Sequence, residues 1–384
     1  MRQKTELEIT LHSVATGEAR SADMEGTETR TADTQVESQA AYGPLMEVIV
    51  ERDNLRSALA HVKRNKGAAG IDGMSLDALA PHLKEHWPAI RAQLLEGTYK
   101  PQPVRRVEIP KASGGTRSLG IPTVLDRFIQ QAVLQVLQAE WDPTFSEHSF
   151  GFRPKRSAHQ AVARAQELIA SGHDIVVDID LEKFFDRVNH DILMGLVAKR
   201  VTDKRVLKLI RGFLTAGVLM DGLVGPTEEG TPQGGPLSPL LNNIVLDELD
   251  RELEERGHRF VRYADDCNIY VRSERAGQRV MESIVRFINK RLRLKVNPTK
   301  SAVARPEERH FLGFRLRRQP TDGAVAVMLS KRSVDRIYAT IRTKTPRTWG
   351  QSLEACIEDL NAYLQGWIGF FRIVTPAAVN TGPR

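Results

Sequence analysis

Two adjacent acids, Asp265 and Asp266, interrupt an otherwise apolar stretch that reads Phe-Val-Arg-Tyr-Ala-Asp-Asp-Cys-Asn-Ile-Tyr-Val over 260–271. β-Branched and aromatic residues favour strands and Asp favours turns, so the stretch reads as a hairpin with both acids at its tip. A second acidic stretch, His-Asp-Ile-Val-Val-Asp-Ile-Asp over 173–180, reads as a strand. Its side chains alternate with a period of two, which puts Asp178 and Asp180 on one face and Val177 and Ile179 on the other. If Asp180 meets the hairpin tip, three carboxylates share one site. Two such charges about 4 Å apart repel by roughly 4 kcal/mol at an effective dielectric near 20. The cluster therefore needs protons or cations, and oxygen donors suit Mg²⁺. Two ions held by shared carboxylates form the clamp that drives nucleotidyl transfer. In isolation an Asp-Asp turn reads as a solvated surface hairpin; the rest of the chain reverses that reading.

The elements that must position these acids follow from periodicity. Residues 46–62 carry a helical pattern that ends in the glycine-rich turn 65–73 after a basic patch. Those glycines mark either a plain helix-to-loop connector or a backbone that comes close to a polyanion. An edge-type strand over 104–110 leads through Lys111-Ala-Ser-Gly-Gly-Thr-Arg117 into a returning strand. That hairpin is either a solvated basic turn or a flap whose cations close over a triphosphate. A strongly amphipathic helix spans 124–140. The basic, aromatic loop 150–157 precedes a helix over 157–170, and its composition suits stacking and backbone contact with a nucleic acid strand. Helices are expected over 189–200 and 203–215. The Gly- and Pro-dense segment 230–239 gives way to a helix at Ser238 and Pro239 that ends near Gly257. A helix over 276–292 and strands over 300–304, 310–317 and 324–329 follow. Two helices close the pattern, 330–342 and 352–371. In the second, Leu353, Ile357, Leu360, Leu364, Trp367 and Phe371 form a stripe expected to face a core. Strand, helix, hairpin, helix and strand around one acidic site make a split βαβ sheet.

Length and composition fit a soluble globular protein of two or three domains: 384 residues, 41% hydrophobic and 27% charged. No apolar run approaches the roughly 20 residues needed to span a bilayer. The two cysteines, Cys267 and Cys356, are far apart, which argues against a disulfide framework or a Cys-based zinc site and suits a reducing cytoplasm. Charge is uneven. Residues 1–41 hold four Lys/Arg and eight Asp/Glu and read as a disordered tail, leaving a net of +11 on the remainder. A basic body points to a polyanionic partner.

Four motifs occur in an order that resembles reverse transcriptases. They are Phe-Gly-Phe-Arg-Pro at 150–154, Thr-Pro-Gln-Gly-Gly-Pro-Leu-Ser-Pro at 231–239, Tyr-Ala-Asp-Asp at 263–266 and Phe-Leu-Gly-Phe at 311–314. Arg-Asn-Lys-Gly-Ala-Ala-Gly-Ile-Asp-Gly at 64–73 and Leu-Asn-Ala-Tyr-Leu-Gln-Gly-Trp at 360–367 narrow the resemblance to bacterial group II intron-encoded reverse transcriptase/maturases. The resemblance covers about residues 44–374. It implies an α+β right-hand polymerase. The tail would occupy 1–43, fingers 44–171 with part of 190–230, and a palm with the split βαβ antiparallel sheet 172–330. A partial helical thumb or maturase-specific domain would occupy 331–374, and a second tail 375–384.

The resemblance also implies roles. Asp180, Asp265 and Asp266 would bind two Mg²⁺, with a backbone carbonyl from Ile179 or Leu181. Phe185 would abut the sugar 2′ position and select deoxynucleotides, with Phe184 beside it in the core. Gln233, Lys111 and Arg117 would contact the incoming nucleotide, and Lys300 would protonate pyrophosphate or serve as a structural lysine. Arg64, Lys66, Arg153, Lys155 and Tyr263 would meet nucleic acid. Asp178 is left outside the catalytic set. The implied partners are group II intron RNA as template, a DNA target or primer, and dNTPs, with no membrane, in a bacterial cytosol and associated with the nucleoid. The implied activity is RNA-directed DNA polymerisation in intron splicing and retrotransposition. Compared with the family, the chain shows no His/Cys-type endonuclease pattern and a short thumb. An alternative is therefore an RNA-binding maturase with weak or lost polymerisation.

Overall fold

Residues 45–110, 116–220, 223–320, 322–346, 350 and 352–375 are described by a computed structural model. The expected tail 1–43 lies outside them, as does the expected tail 375–384 except for Thr375, whose N donates to Val327 O at 2.9 Å. The chain groups into two compact units, one comprising the chain up to Phe145 with Lys183–Glu248, the other Ser146–Glu182 with the chain from Leu249.

In the first unit, α1 (Leu45–Ile49) and α2 (Arg52–Arg64) replace the single helix expected over 46–62. The helix α3 (Leu76–Glu96) was not expected, because Pro81 and Pro88 lie inside it and proline ordinarily ends a helix. Strands β1 (Val104–Pro110) and β2 (Thr116–Ile121) pair antiparallel. Next comes α4 (Val124–Trp141), whose Val124, Phe128, Ile129, Val133 and Leu137 are buried. Two of the glycines of 65–73 lie close to the start of this helix. A Cβ on Gly70 would stand 2.5 Å from Thr123 Cα, and one on Gly67 would stand 1.8 Å from Arg127 Nη1. Arg127 Nη2 donates to Ala68 O at 2.5 Å.

The second unit is built on one sheet. Helix α5 (Ala158–Ala170) leads into β3 (Ile175–Ile179). The first unit then supplies α6 (Phe184–Arg187), α7 (His190–Ala198), α8 (Lys204–Thr215), β4 (Val218–Met220) and β5 (Leu223–Gly225). Its sheet runs β2-β1-β4-β5. Helix α9 (Ser238–Glu255) passes from one unit to the other. Then β6 (Arg259–Tyr263), β7 (Asp266–Val271), α10 (Glu274–Phe287) and β8 (Ala302–Ala304) complete an antiparallel sheet in the order β6-β7-β3-β8. A two-stranded sheet of β9 (Phe314–Arg318) and β10 (Val325–Leu329) follows.

Register fixes the two faces of the main sheet. Ile175, Val177 and Ile179 lie opposite Val271, Ile269 and Cys267 on one face, while Val176 and Asp178 lie opposite Tyr270 and Asn268 on the other. Helix α10 covers the first face: a Cβ on Gly277 would come within 2.5 Å of Val303 Cγ1 and 3.5 Å of Val177 Cγ2. The other face packs Val176, Val261 and Tyr270 into a core with Ala161, Val162, Phe311 and Phe314.

The closing helices α11 (Lys331–Lys344) and α12 (Leu353–Phe371) correct one expectation. The α12 stripe does not face a core: no residue of this helix is buried, and Leu353 is 71% exposed. Its end packs, with Phe371 tilted against Phe314 at a centroid distance of 5.1 Å, and its middle meets α11 through the Lys344–Asp359 pair. Among the described residues no helix is long and apolar enough to cross a membrane.

Candidate active site

The acidic hairpin is tighter than its sequence suggests. Tyr263 pairs with Asp266, so the turn consists of Ala264 and Asp265, and Asp266 is already the first residue of β7. Ala264 adopts φ +56°, a region that ordinarily suits glycine and costs other residues roughly 1 kcal/mol. Its surroundings hold it there. Arg262 Nη1 donates to Ala264 O at 2.9 Å, while Nε and Nη2 grip Asp250 Oδ1 and Oδ2 at 2.7 and 2.5 Å. Both side chains of that ion pair are 0% exposed. On the outer edge of β6, Phe150 N donates to Arg262 O and Arg262 N donates to His148 O, each at 2.9 Å. This brings Gly151 against the turn: a Cβ there would lie 2.2 Å from Ala264 N.

The β3–β7 register then places the acids. Ile179 lies opposite Cys267, so continuing outward sets Asp180 beside Asp266 and Leu181 beside Asp265. Asp180 N donates to Ser301 Oγ at 3.0 Å, and Asp180 O accepts from Asn297 N at 2.8 Å. With Asp180's backbone turned towards that side, alternation turns the backbone of Ile179 and Leu181 towards β7. Ile179 falls within the ladder. Leu181 lies past its end, in an isolated bridge to Val296, so of the two expected carbonyl donors Leu181 is the better situated.

Asp266 titrates upward, to about 7, through desolvation first and then repulsion from Asp265, Asp178 and Asp180. The residue is nonetheless exposed by surface area, so repulsion is the cause that persists where water reaches the carboxylate. Among the described residues, no three His, Cys, Asp or Glu side chains are gathered about one metal position. As a donor set the acids fit a hard divalent ion: all are oxygens, and added positive charge would relieve the repulsion that raises Asp266.

Asp178 is not idle. Arg309 Nε and Nη2 bond its Oδ2 at 2.9 and 2.7 Å, and the same Nη2 donates to Lys300 O. Burial still leaves the Asp178 carboxyl raised, against the pull of Arg309. Lys300 stands at the end of a turn in which Asn297 Oδ1 accepts from Thr299 N and Oγ1 at 3.1 and 2.8 Å. Lys300 Nζ lies 3.8 Å from Asp180 Oδ2. Arg309 therefore ties together the lysine turn and the acidic strand. Sequence reasoning passed over Arg262, Asp250 and Arg309. For Arg262 a signal existed, since period-two alternation puts it on the same face as Phe260.

The remaining candidates divide. In the first unit, Phe184 is buried and Phe185 half-buried, edge-on at 5.4 Å between ring centroids. Thr231 N donates to Phe185 O at 2.7 Å, and Gly120 N of β2 donates to Gln233 O at 2.7 Å. Phe185, Gln233 and the β1–β2 hairpin are thereby brought together. Gly234 is needed at that junction: its φ is +122°, and a Cβ would lie 2.8 Å from Gly120 O. Arg117 lies opposite Ile109 in that hairpin, and Lys111 lies outside the described residues. Arg64, Lys66 and Lys155 are exposed, and Tyr263 is half-buried. Arg153 departs from expectation. It is buried, with Nη1 donating to Ser146 O and Ser149 O at 2.6 and 2.9 Å, so its guanidinium fastens its own loop instead of facing a phosphate.

An antiparallel sheet that presents neighbouring carboxylates from one strand and an adjoining hairpin is the palm of a nucleic acid polymerase. Comparison with known proteins narrows this. The profile of the reverse transcriptase (RNA-dependent DNA polymerase) family matches residues 109–316, and that of the group II intron maturase-specific domain matches 334–381. Protein YkfC of Escherichia coli K12 is 31% identical over 354 residues, covering 82% of this chain and 91% of that protein. The group II intron-encoded protein LtrA of Lactococcus lactis subsp. cremoris is 41% identical over 195 residues, covering 50% of this chain and 32% of LtrA. A chain of a partial Cas6-RT-Cas1–Cas2 complex aligns at 23% identity with a TM-score of 0.41, covering 65% of this chain and 43% of that one. The chain belongs to the reverse transcriptase family, as a group II intron-type reverse transcriptase/maturase with the right-hand polymerase fold. The family comprises RNA-directed DNA polymerases that bind RNA and use divalent metal ions.

Proposed function

We propose that this chain copies RNA into DNA with Asp180, Asp265 and Asp266 as the ligands of two Mg²⁺ ions, with the Leu181 carbonyl as a further donor. The observation that carries this reading is the β3–β7 register, which brings the end of β3 and Asp180 to the Asp265–Asp266 turn that Arg262 braces. When bound, the ions supply charge neutralisation for the triphosphate and acidify a primer 3′-hydroxyl. The protein's own groups do the positioning. Arg262 and Gly151 fix the hairpin, Asn297 and Ser301 fix Asp180, and Arg309 fixes the turn that carries Lys300 near Asp180. Phe185 selects deoxynucleotides, and Gln233, Lys111 and Arg117 bind the incoming nucleotide. Arg64, Lys66, Lys155 and Tyr263 meet the nucleic acid. In this reading 44–171 are fingers, 172–330 palm and 331–374 thumb.

The RNA substrate is a group II intron, and the DNA primer comes from its target. The work takes place in splicing and retrotransposition in a bacterial cytosol, at the nucleoid. The test is primer extension on an RNA template with dNTPs and Mg²⁺. Extension by the wild type that vanishes in Asp265→Asn, with RNA binding retained, is the expected result. Equal loss of extension and binding would mean that the variant is misfolded and that the assigned role is unsupported. Phe185→Ala is expected to relax discrimination against ribonucleotides, and unchanged discrimination would remove that assignment.

A further inference from the structure

One stretch of the chain is strongly basic. Residues 272–295 contain eight Lys and Arg and two Glu, a net of +6 within a chain whose total is +7. All eight cations are exposed, and none of them forms an ion pair among the described residues. Some exposed cations elsewhere do have partners, as in Arg211–Asp191 and Arg318–Asp174.

Helical geometry arranges them. At about 100° per residue, Arg275, Arg279 and Arg286 fall within roughly 40° of one another along α10, and Lys290 follows in the π-helical turn Ile288–Leu292. With about 1.5 Å of rise per residue the row is roughly 22 Å long. The opposite face carries Gly277, Val280, Ile284 and Ile288, all buried. That apolar side lies against Ile175 and Val177, the face of the main sheet turned away from Asp178 and Asp180. The cationic row therefore looks outward from the back of the sheet, with the sheet and a helix about 10 Å thick between it and the catalytic acids. The row and the acids thus belong to opposite faces of the sheet.

We propose that this row is a second RNA-binding surface, which grips the phosphate backbone of a duplex region of structured RNA. The proposal rests on the reading above that the chain works on RNA. Two absences among the described residues choose the occupant. No large apolar side chain is exposed within 272–295, so the row lacks both the aromatic platforms that bind single strands and the apolar face that inserts into a membrane. Regularly spaced charge without stacking groups suits a duplex backbone.

The test measures binding of the full chain to a blunt-ended RNA hairpin, which offers no recessed 3′ end, across a salt series. Each neutralised phosphate contributes about 0.7–0.9 to the slope of log affinity against log salt, so four lost contacts should reduce it by about 3. The variant Arg275→Gln/Arg279→Gln/Arg286→Gln/Lys290→Gln is expected to show that reduction and a loss of affinity of at least about tenfold near 0.1 M salt. Its extension of a saturating primer–template should be kept. The charge-preserving variant Arg275→Lys/Arg279→Lys/Arg286→Lys should retain the wild-type slope, and it guards against a folding defect. An unchanged slope in the Gln variant would overturn the proposal. So would an equal reduction when the exposed Arg52, Lys84, Arg91 and Lys208 are changed to Gln instead. Wild-type binding to anionic phosphatidylserine vesicles that exceeds binding to the hairpin would assign the row to a membrane. Hairpin binding without primer extension would sink the polymerase reading and leave the surface standing; extension with an unchanged slope would do the reverse.

Discussion

Gly151→Ala would add one methyl group to the tightest backbone contact around the acidic hairpin. The new Cβ would stand 2.2 Å from Ala264 N, 2.9 Å from Tyr263 C and 3.0 Å from Ala264 Cα. Ordinary contact begins near 3.4 Å, so about 1 Å of relative movement is required. Neither side yields easily. Ala264 is held by Arg262, which is locked to Asp250, and the loop of Gly151 is bonded to both backbone groups of Arg262 along the outer edge of β6. Overpacking of this kind costs about 1–3 kcal/mol, a fraction of a typical folding stability. Its effect on chemistry is larger, because a displacement near 1 Å at reacting groups costs roughly a hundredfold. The variant should melt a few degrees lower, bind RNA nearly as the wild type does, and lose about a hundredfold in single-turnover primer extension. Synthesis within twofold of wild type in a folded variant would refute the claim that this loop braces the hairpin.

Removing the charge at Arg262 with Arg262→Met leaves Asp250 buried and unpaired, and should cost about 3–5 kcal/mol in chemical denaturation. Adding Asp250→Leu should restore much of that stability while synthesis stays low, since Ala264 O still lacks its donor. Arg309→Gln should slow synthesis roughly tenfold. Combined with Lys300→Ala it should slow synthesis no further than Lys300→Ala alone, and additive losses in that cycle would separate the two residues. In the first unit, burial opposes ionisation of Asp203, but the bonds from Arg205 and from Met46 N outweigh it and lower the carboxyl to about 2. Because the folded value lies below the unfolded one, the stabilisation is present above pH 4 and is lost as pH falls through 2. Asp203→Asn should therefore cost about 1 kcal/mol at neutral pH, allowing for solvent screening, and the difference should vanish towards pH 2.

Much of the site was legible because it depends on local periodicity. Alternation put Asp178 and Asp180 on one face, and apolar flanks marked the hairpin, although the turn holds Asp265 alone and Asp266 already opens β7. What escaped depends on partners distant in sequence. The Arg309–Asp178 pair joins residues 131 positions apart, and no local pattern announces it. Gly151 looked like part of a nucleic-acid loop because its neighbours are basic and aromatic; the approach of Ala264 that demands a glycine exists only once β6 is in place. Periodicity also misled. The α12 stripe has helical spacing, yet spacing identifies a helix face without saying what covers it.

The central claim is that Asp180 and the Asp265–Asp266 hairpin form one cation site. Binding of Mn²⁺ as a Mg²⁺ surrogate, followed by electron paramagnetic resonance in competition with Mg²⁺, tests it most directly. The account predicts saturable, Mg²⁺-displaceable binding by the wild type that is strongly weakened by Asp180→Asn and by Asp265→Asn alike, with both variants folded. Binding that is unchanged in either variant would contradict it.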